Sequence, residues 1–237
     1  LTPVRLLVLG YLAVIIIGTV LLILPFSSKI TGSASFMDAL FTTVSASCVT
    51  GLIIRDTASY WSPFGQVVIL LLIQIGGIGF MTVVYTILKL GGKKIGLKER
   101  TFMQEAVSAP NLSGMGKLTT TILIGTLIFE AVGVPDYGWG EGIWMAVFTA
   151  VSAFCNAGFD LMGDKTGEFS SLTSYSGDPI VCLTVPLLII IGGLGFFVWK
   201  DIKDNRFRFR KYELHTKLVL IMTAILVVLP TIVIMIA

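Results

Sequence analysis

Long apolar runs alternate with short polar links along this chain. Residues 6–26 form a nearly unbroken apolar run after Arg5. A span of the roughly 30 Å hydrocarbon layer takes about 20 such residues, so this run predicts a retained transmembrane helix. It is longer than the roughly 7 to 15 residues of a signal-peptide core. Runs at 64–88, 118–134, 180–199 and 218–237 predict four more spans, the third of them shorter. Two further stretches behave differently. Helix-compatible runs at 36–47 and 142–154 stop at a cysteine and reach a glycine three residues later, Gly51 or Gly158. Their helical part, about ten residues, is too short to cross a bilayer. Each predicts a re-entrant segment, a helix that dips in followed by a non-helical strand that climbs out.

The two short stretches are copies of each other. Residues 41–52 read FTTVSASCVTGL and 148–159 read FTAVSAFCNAGF, with seven of twelve positions identical at an offset of 107. The following spans carry a second matched pair, QIGGIGF at 74–80 and IIGGLGF at 190–196, offset by 116. The nine extra residues fall in the Gly-, Ser- and Asp-rich stretch 160–179. An internal repeat of this kind is a statement about architecture. The expected fold class is an all-α membrane protein of repeated helix, re-entrant pore loop and helix. Its divisions are a first repeat (1–90), a link (91–117), a second repeat (118–200), a second link (201–217) and the opening helix of a third repeat (218–237).

Composition agrees with a membrane chain: 55% of the 237 residues are hydrophobic and 13% charged, with mean hydropathy +0.92. Three cysteines without a C-x-x-C pair exclude a zinc or redox motif of the usual spacing and give no disulfide framework. Charge placement predicts orientation. Links 89–117 and 200–217 hold six and seven Lys or Arg, whereas the two re-entrant regions hold Lys29, Arg55 and Lys165. By the positive-inside rule the basic links are cytoplasmic and the re-entrant segments enter from outside. Residues 130–179 hold seven of the fourteen acids, so the outer mouth is expected to be electronegative and to concentrate cations.

Non-helical backbone at membrane depth is tolerated only when buried in protein or lining a water-filled cavity. Two such strands therefore imply a polar pathway. A re-entrant helix aims its partially negative C-terminus at the membrane centre, and carbonyls of the ascending strand can replace a cation's hydration shell.

VSASCVTGL and VSAFCNAGF resemble the filter signature of the Ktr/Trk/HKT superfamily of potassium transporters, and within it the bacterial KtrB pore subunits. The resemblance covers essentially the whole chain. It implies a potassium-channel type of pore with four repeats around one axis, where this chain holds two and one further helix. Carried over by position, the main-chain oxygens of Val49, Thr50, Gly51 and Leu52, and of Asn156, Ala157, Gly158 and Phe159, would bind the transported potassium ion. The resemblance further implies passive uptake through a bacterial plasma membrane and a second copy of the subunit as partner. It also implies a cytoplasmic nucleotide-binding ring of KtrA type that gates the pore. No organic cofactor and no nucleic acid is expected. In plant members a serine at the first-repeat glycine goes with sodium preference, so Gly51 argues for potassium.

Other residues carry two readings each. Cys48 and Cys155 stand at equivalent positions and fit small buried residues ending a pore helix better than a metal pair. Cys182 fits a lipid-facing or core site. The IGGIGF and IGGLGF runs fit close helix packing rather than a nucleotide loop, since they lie within apolar spans. Gln74 reaches either the pore or a neighbouring helix. Glu130 is either functional or snorkels to the outer surface. Pro186 and Pro230 are expected to kink their helices, and His215 to be solvated. Rival functions are a sodium-conducting or poorly selective relative, a non-conducting assembly subunit, and an intramembrane enzyme. The last would need a nucleophile and base at depth, and the spans supply no His and no paired acids. The lone helix at 218–237 predicts a third repeat on the same polypeptide, and two strands alone are not expected to conduct.

Overall fold

The computed structural model describes residues 3–30, 34–78, 138–206 and 208–236. The end of the second span, the first basic link and the third span with Glu130 lie outside the described residues. Within them the protein is helical.

The stretch expected to be the first span forms α1, Pro3–Ile23. Its exit is tied down where Ser27 Oγ donates to the Leu21 carbonyl at 2.6 Å. The short helix α2, Phe36–Ser47, starts where Ser35 accepts the Asp38 N–H, and ends at Cys48. After a one-turn helix α3, Thr57–Tyr60, comes α4, Pro63–Ile78, with proline at its first position, where its missing N–H costs nothing. The second copy supplies α5, Trp139–Phe154, the one-turn α6, Gly163–Thr166, and α7, Pro179–Gly193, capped by the Asp178 carboxylate. Two further helices follow, α8, Phe196–Asn205, and α9, Leu214–Ile236.

Helices α1 and α4 pack on α2, α7 packs on α5, and α4 also touches α5. One buried cluster runs through both copies and contains Leu22, Trp61, Ile69 and Ile73 with Met145, Phe148 and Val151. The glycine pairs in the spans make this approach possible. A Cβ at Gly76 would strike the Ser47 carbonyl oxygen, and one at Gly192 would strike that of Phe154. Ser47 and Phe154 are the last residues of α2 and α5. The small residues therefore let α4 lie directly against the end of α2, and α7 against the end of α5.

Several boundaries differ from expectation. Helix α5 begins three residues earlier, at Trp139, and α9 four residues earlier, at Leu214. The expected span 180–199 is broken: α7 ends at Gly193 and the chain turns by 94° into α8. The break falls on Gly195, whose φ of +77° suits glycine, and the Trp199 indole donates to the freed Ile191 carbonyl at 3.0 Å. Pro186 and Pro230 lie inside α7 and α9 without ending them. Cys155 is buried as expected, whereas Cys48 is exposed; Cys182 is exposed too.

The Asp201 carboxylate fastens the turn from α8 to α9. Asp201 accepts from Asn205 Nδ2 at 2.6 Å and from the Glu213 N–H at 2.9 Å. A hydrogen bond from Thr216 is the main reason its carboxyl is held below the ordinary range. Helix α9 has 23 residues, and its most apolar stretch of 18 has a mean hydropathy of 3.0 and no buried residue.

Candidate functional site

The two motif copies adopt the same backbone. Val49 and Asn156 both sit in the left-handed region, with φ of 56° and 57°, and Gly51 and Gly158 follow with φ of 77° and 75°. The Thr50 N–H donates back to the Ser45 carbonyl at 2.8 Å, and the Ala157 N–H to that of Ser152 at 2.8 Å. Each short helix thus ends in one repeated turn that uses its orphan carbonyls and releases an irregular strand.

The strands meet at their glycines. A Cβ at Gly51 would lie 2.5 Å from the Ala157 carbonyl oxygen and 3.3 Å from the Gly158 Cα. In the other direction a Cβ at Gly158 would lie 3.4 Å from the Gly51 Cα. Backbone meets backbone there with no room for a side chain at Gly51. Of the eight expected positions, Gly51, Ala157 and Gly158 are thereby brought together.

The copies differ in side-chain surroundings. Leu52 is 60% exposed and Phe159 2% exposed, although they are counterparts. Ala157 is buried, while Thr50, Asn156 and Gly158 are exposed and Val49 is half-buried. The Leu52 carbonyl already accepts from Ser45 Oγ at 2.7 Å, which leaves it one free lone pair.

Interactions that sequence patterns did not reveal hold the copies together. Trp144 Nε1 on α5 donates to Gln66 Oε1 on α4 at 2.8 Å, and Gln66 Nε2 donates to the Trp61 carbonyl at 3.1 Å. Buried Asp56 caps α3 through the Ser59 N–H and also accepts the Phe169 N–H at 3.2 Å, with its carboxylate pressed against Gly163. Lys29 pairs with Asp164 at 2.7 Å. Asp160, just past the second strand, has its carboxyl pushed up by burial. The charge of Asp56 acts in the same direction, and the Met162 N–H and Ser171 hydroxyl oppose it.

The family model for TrkH, described as cation transport protein, matches residues 6–237. The chain belongs to the TrkH family. Ktr system potassium uptake protein B of Bacillus subtilis (strain 168) is 47% identical to this TrkH-family chain over 233 residues, covering 95% of the chain and 50% of the relative. Potassium/sodium uptake protein NtpJ of Enterococcus hirae is 42% identical over 236 residues, 96% of the chain and 51% of the relative. Ktr system potassium uptake protein B of Vibrio alginolyticus is 36% identical over 237 residues, 96% and 50% respectively. The chain spans about half the length of these curated relatives. The family and the relatives carry the names of transport proteins rather than of enzymes.

Proposed function

We propose that this chain forms half of a potassium-uptake pore in a bacterial plasma membrane, with the two glycine-centred strands as two of the four walls of its filter. The meeting of Gly51 with Ala157 and Gly158 carries this reading. A dehydrated cation needs oxygens on several sides at once, and that requires backbones to converge with nothing between them. Gly51 and Gly158 allow such convergence, and the left-handed turns at Val49 and Asn156 set the strands off from the helices that bear them.

In this reading α2 and α5 are re-entrant helices whose partially negative C-terminal ends face the ion, and the carbonyls of 49–52 and 156–159 stand in for water. Residues 1–90 and 118–200 are the first two repeats, 91–117 and 201–217 cytoplasmic links, and 218–237 the first helix of a third repeat. The basic elbow after α7 faces the cytoplasm. Two strands cover about half of a closed ring, so further strands complete it, since bare carbonyls facing lipid are not tolerated. Permeation is passive and driven by the membrane potential, worth about 2.3 kcal/mol per charge per 100 mV. In this reading the partners are a second copy of the subunit and a nucleotide-binding ring of KtrA type on the cytoplasmic side; the naming of two relatives as Ktr system proteins supports the presence of partner subunits.

A second reading is a pore that carries sodium as well, favoured by the potassium/sodium name of one relative. Flux into vesicles tests both. The full-length protein in proteoliposomes held inside-negative takes up rubidium and potassium, with sodium several-fold slower. Equal sodium uptake moves the assignment to the second reading, and no flux under potential overturns it.

A further inference from the structure

Resting on that reading, one charged cluster beside the first strand has a role of its own. Arg55 lies three residues beyond Leu52, which in the proposed orientation is the outer side of the strand. Its Nε is 3.1 Å from Asp38 Oδ2, and its guanidinium sits over the Tyr60 ring at 5.4 Å. Tyr60 Oη donates to the same Asp38 oxygen at 3.5 Å. Asp38 is buried in the first turn of α2, whereas the Arg55 side chain is 52% exposed.

A half-exposed ion pair adds little to stability, and the second copy has no acid at the place of Asp38. At the offset of 107 the counterpart of Asp38 is Met145, 2% exposed within the shared core. The first turn of the helix before the strand thus carries a buried acid in one copy and a buried apolar side chain in the other. What the ionic version adds is control of a positive charge beside the path of an incoming cation. A free guanidinium at the outer mouth would lower the local cation concentration, and a paired one would not. Lys29 is restrained in the same way by Asp164.

We propose that Asp38 is a positioning residue that pins and neutralises Arg55 at the outer side of the filter, and so sets the affinity for potassium uptake. The test is concentration-dependent rubidium uptake by the full-length protein at low ionic strength. Asp38→Asn raises KM at least roughly twofold with the maximal rate unchanged, and the effect shrinks as impermeant salt screens the charge. Arg55→Gln, which leaves the acid unpaired, lowers KM by a similar factor and does not depend on Asp38→Asn folding. The doubles Asp38→Asn/Arg55→Gln and Asp38→Met/Arg55→Met return KM to wild type. An unchanged KM in Arg55→Gln overturns the proposal, as does a loss in Asp38→Asn confined to the maximal rate or not reversed by Arg55→Gln. Absence of flux in the wild type would instead refute the pore reading beneath it.

Discussion

Gly51 and Gly158 share one backbone conformation but not one environment, so the same substitution has different consequences at the two sites. Alanine at either must hold a left-handed φ, which costs about 1–2 kcal/mol. At Gly51 it must also displace the Ala157 carbonyl, whereas at Gly158 the nearest atom is at ordinary contact distance. Gly51→Ala is therefore expected to lose at least about 1 kcal/mol more than Gly158→Ala, read as the difference in thermal unfolding of the purified protein. Equal losses would mean that the close approach at Gly51 is absent. Both glycines were legible, because a repeated Gly after a helix-ending Cys is a recognisable signal. The left-handed turn at Val49 was not, since a β-branched residue is among the least suited to positive φ. Asn156, its counterpart, carries the composition that would have announced it.

Among the elements, α2 was legible to the residue because Ser35 is a capping residue followed three positions later by an acid. The break between α7 and α8 was hidden by composition. The run IIGGLGFF reads as continuous apolar sequence, and only its glycines hint that the helix can end there. Gly76 and Gly192 test the packing of α4 against the end of α2 and of α7 against the end of α5. Adding one methyl at either overpacks the contact at a cost of about 1–3 kcal/mol, visible as a lower unfolding temperature; an unchanged temperature would contradict the packing. Asp201 makes a separate prediction for the elbow. Asp201→Ala should speed amide exchange at 213–216, while exchange in α5 stays as in wild type. The Asp201 carboxyl is held low in the folded state, so its contribution is present above the ordinary carboxylate range, about pH 4, and is lost as pH falls through the lowered value. Elbow protection, taken as the exchange rate relative to the intrinsic rate at each pH, that did not fall on acidification would contradict this.

For the whole molecule, the repeat and the charge asymmetry were readable because both are patterns along the chain. The joints between copies were not. Lys29–Asp164 and Gln66–Trp144 connect residues 135 and 78 positions apart, and each partner alone looks like an ordinary polar residue. The proposed orientation predicts that a cysteine at Arg208, in a protein with Cys48, Cys155 and Cys182 replaced by serine, reacts with an impermeant reagent only from the cytoplasm. One at Glu168 reacts only from outside, and labelling of either from the opposite side would invert the topology. The central claim is that the glycine-centred strands select the ion, and the potassium-to-sodium permeability ratio of the full-length protein carrying Gly51→Ser tests it most directly. A side chain where the Ala157 carbonyl approaches must shift the oxygens that replace water, so a severalfold fall in that ratio is expected while protein still reaches the membrane. An unchanged ratio in a well-folded Gly51→Ser protein would contradict the assignment of these strands as the filter.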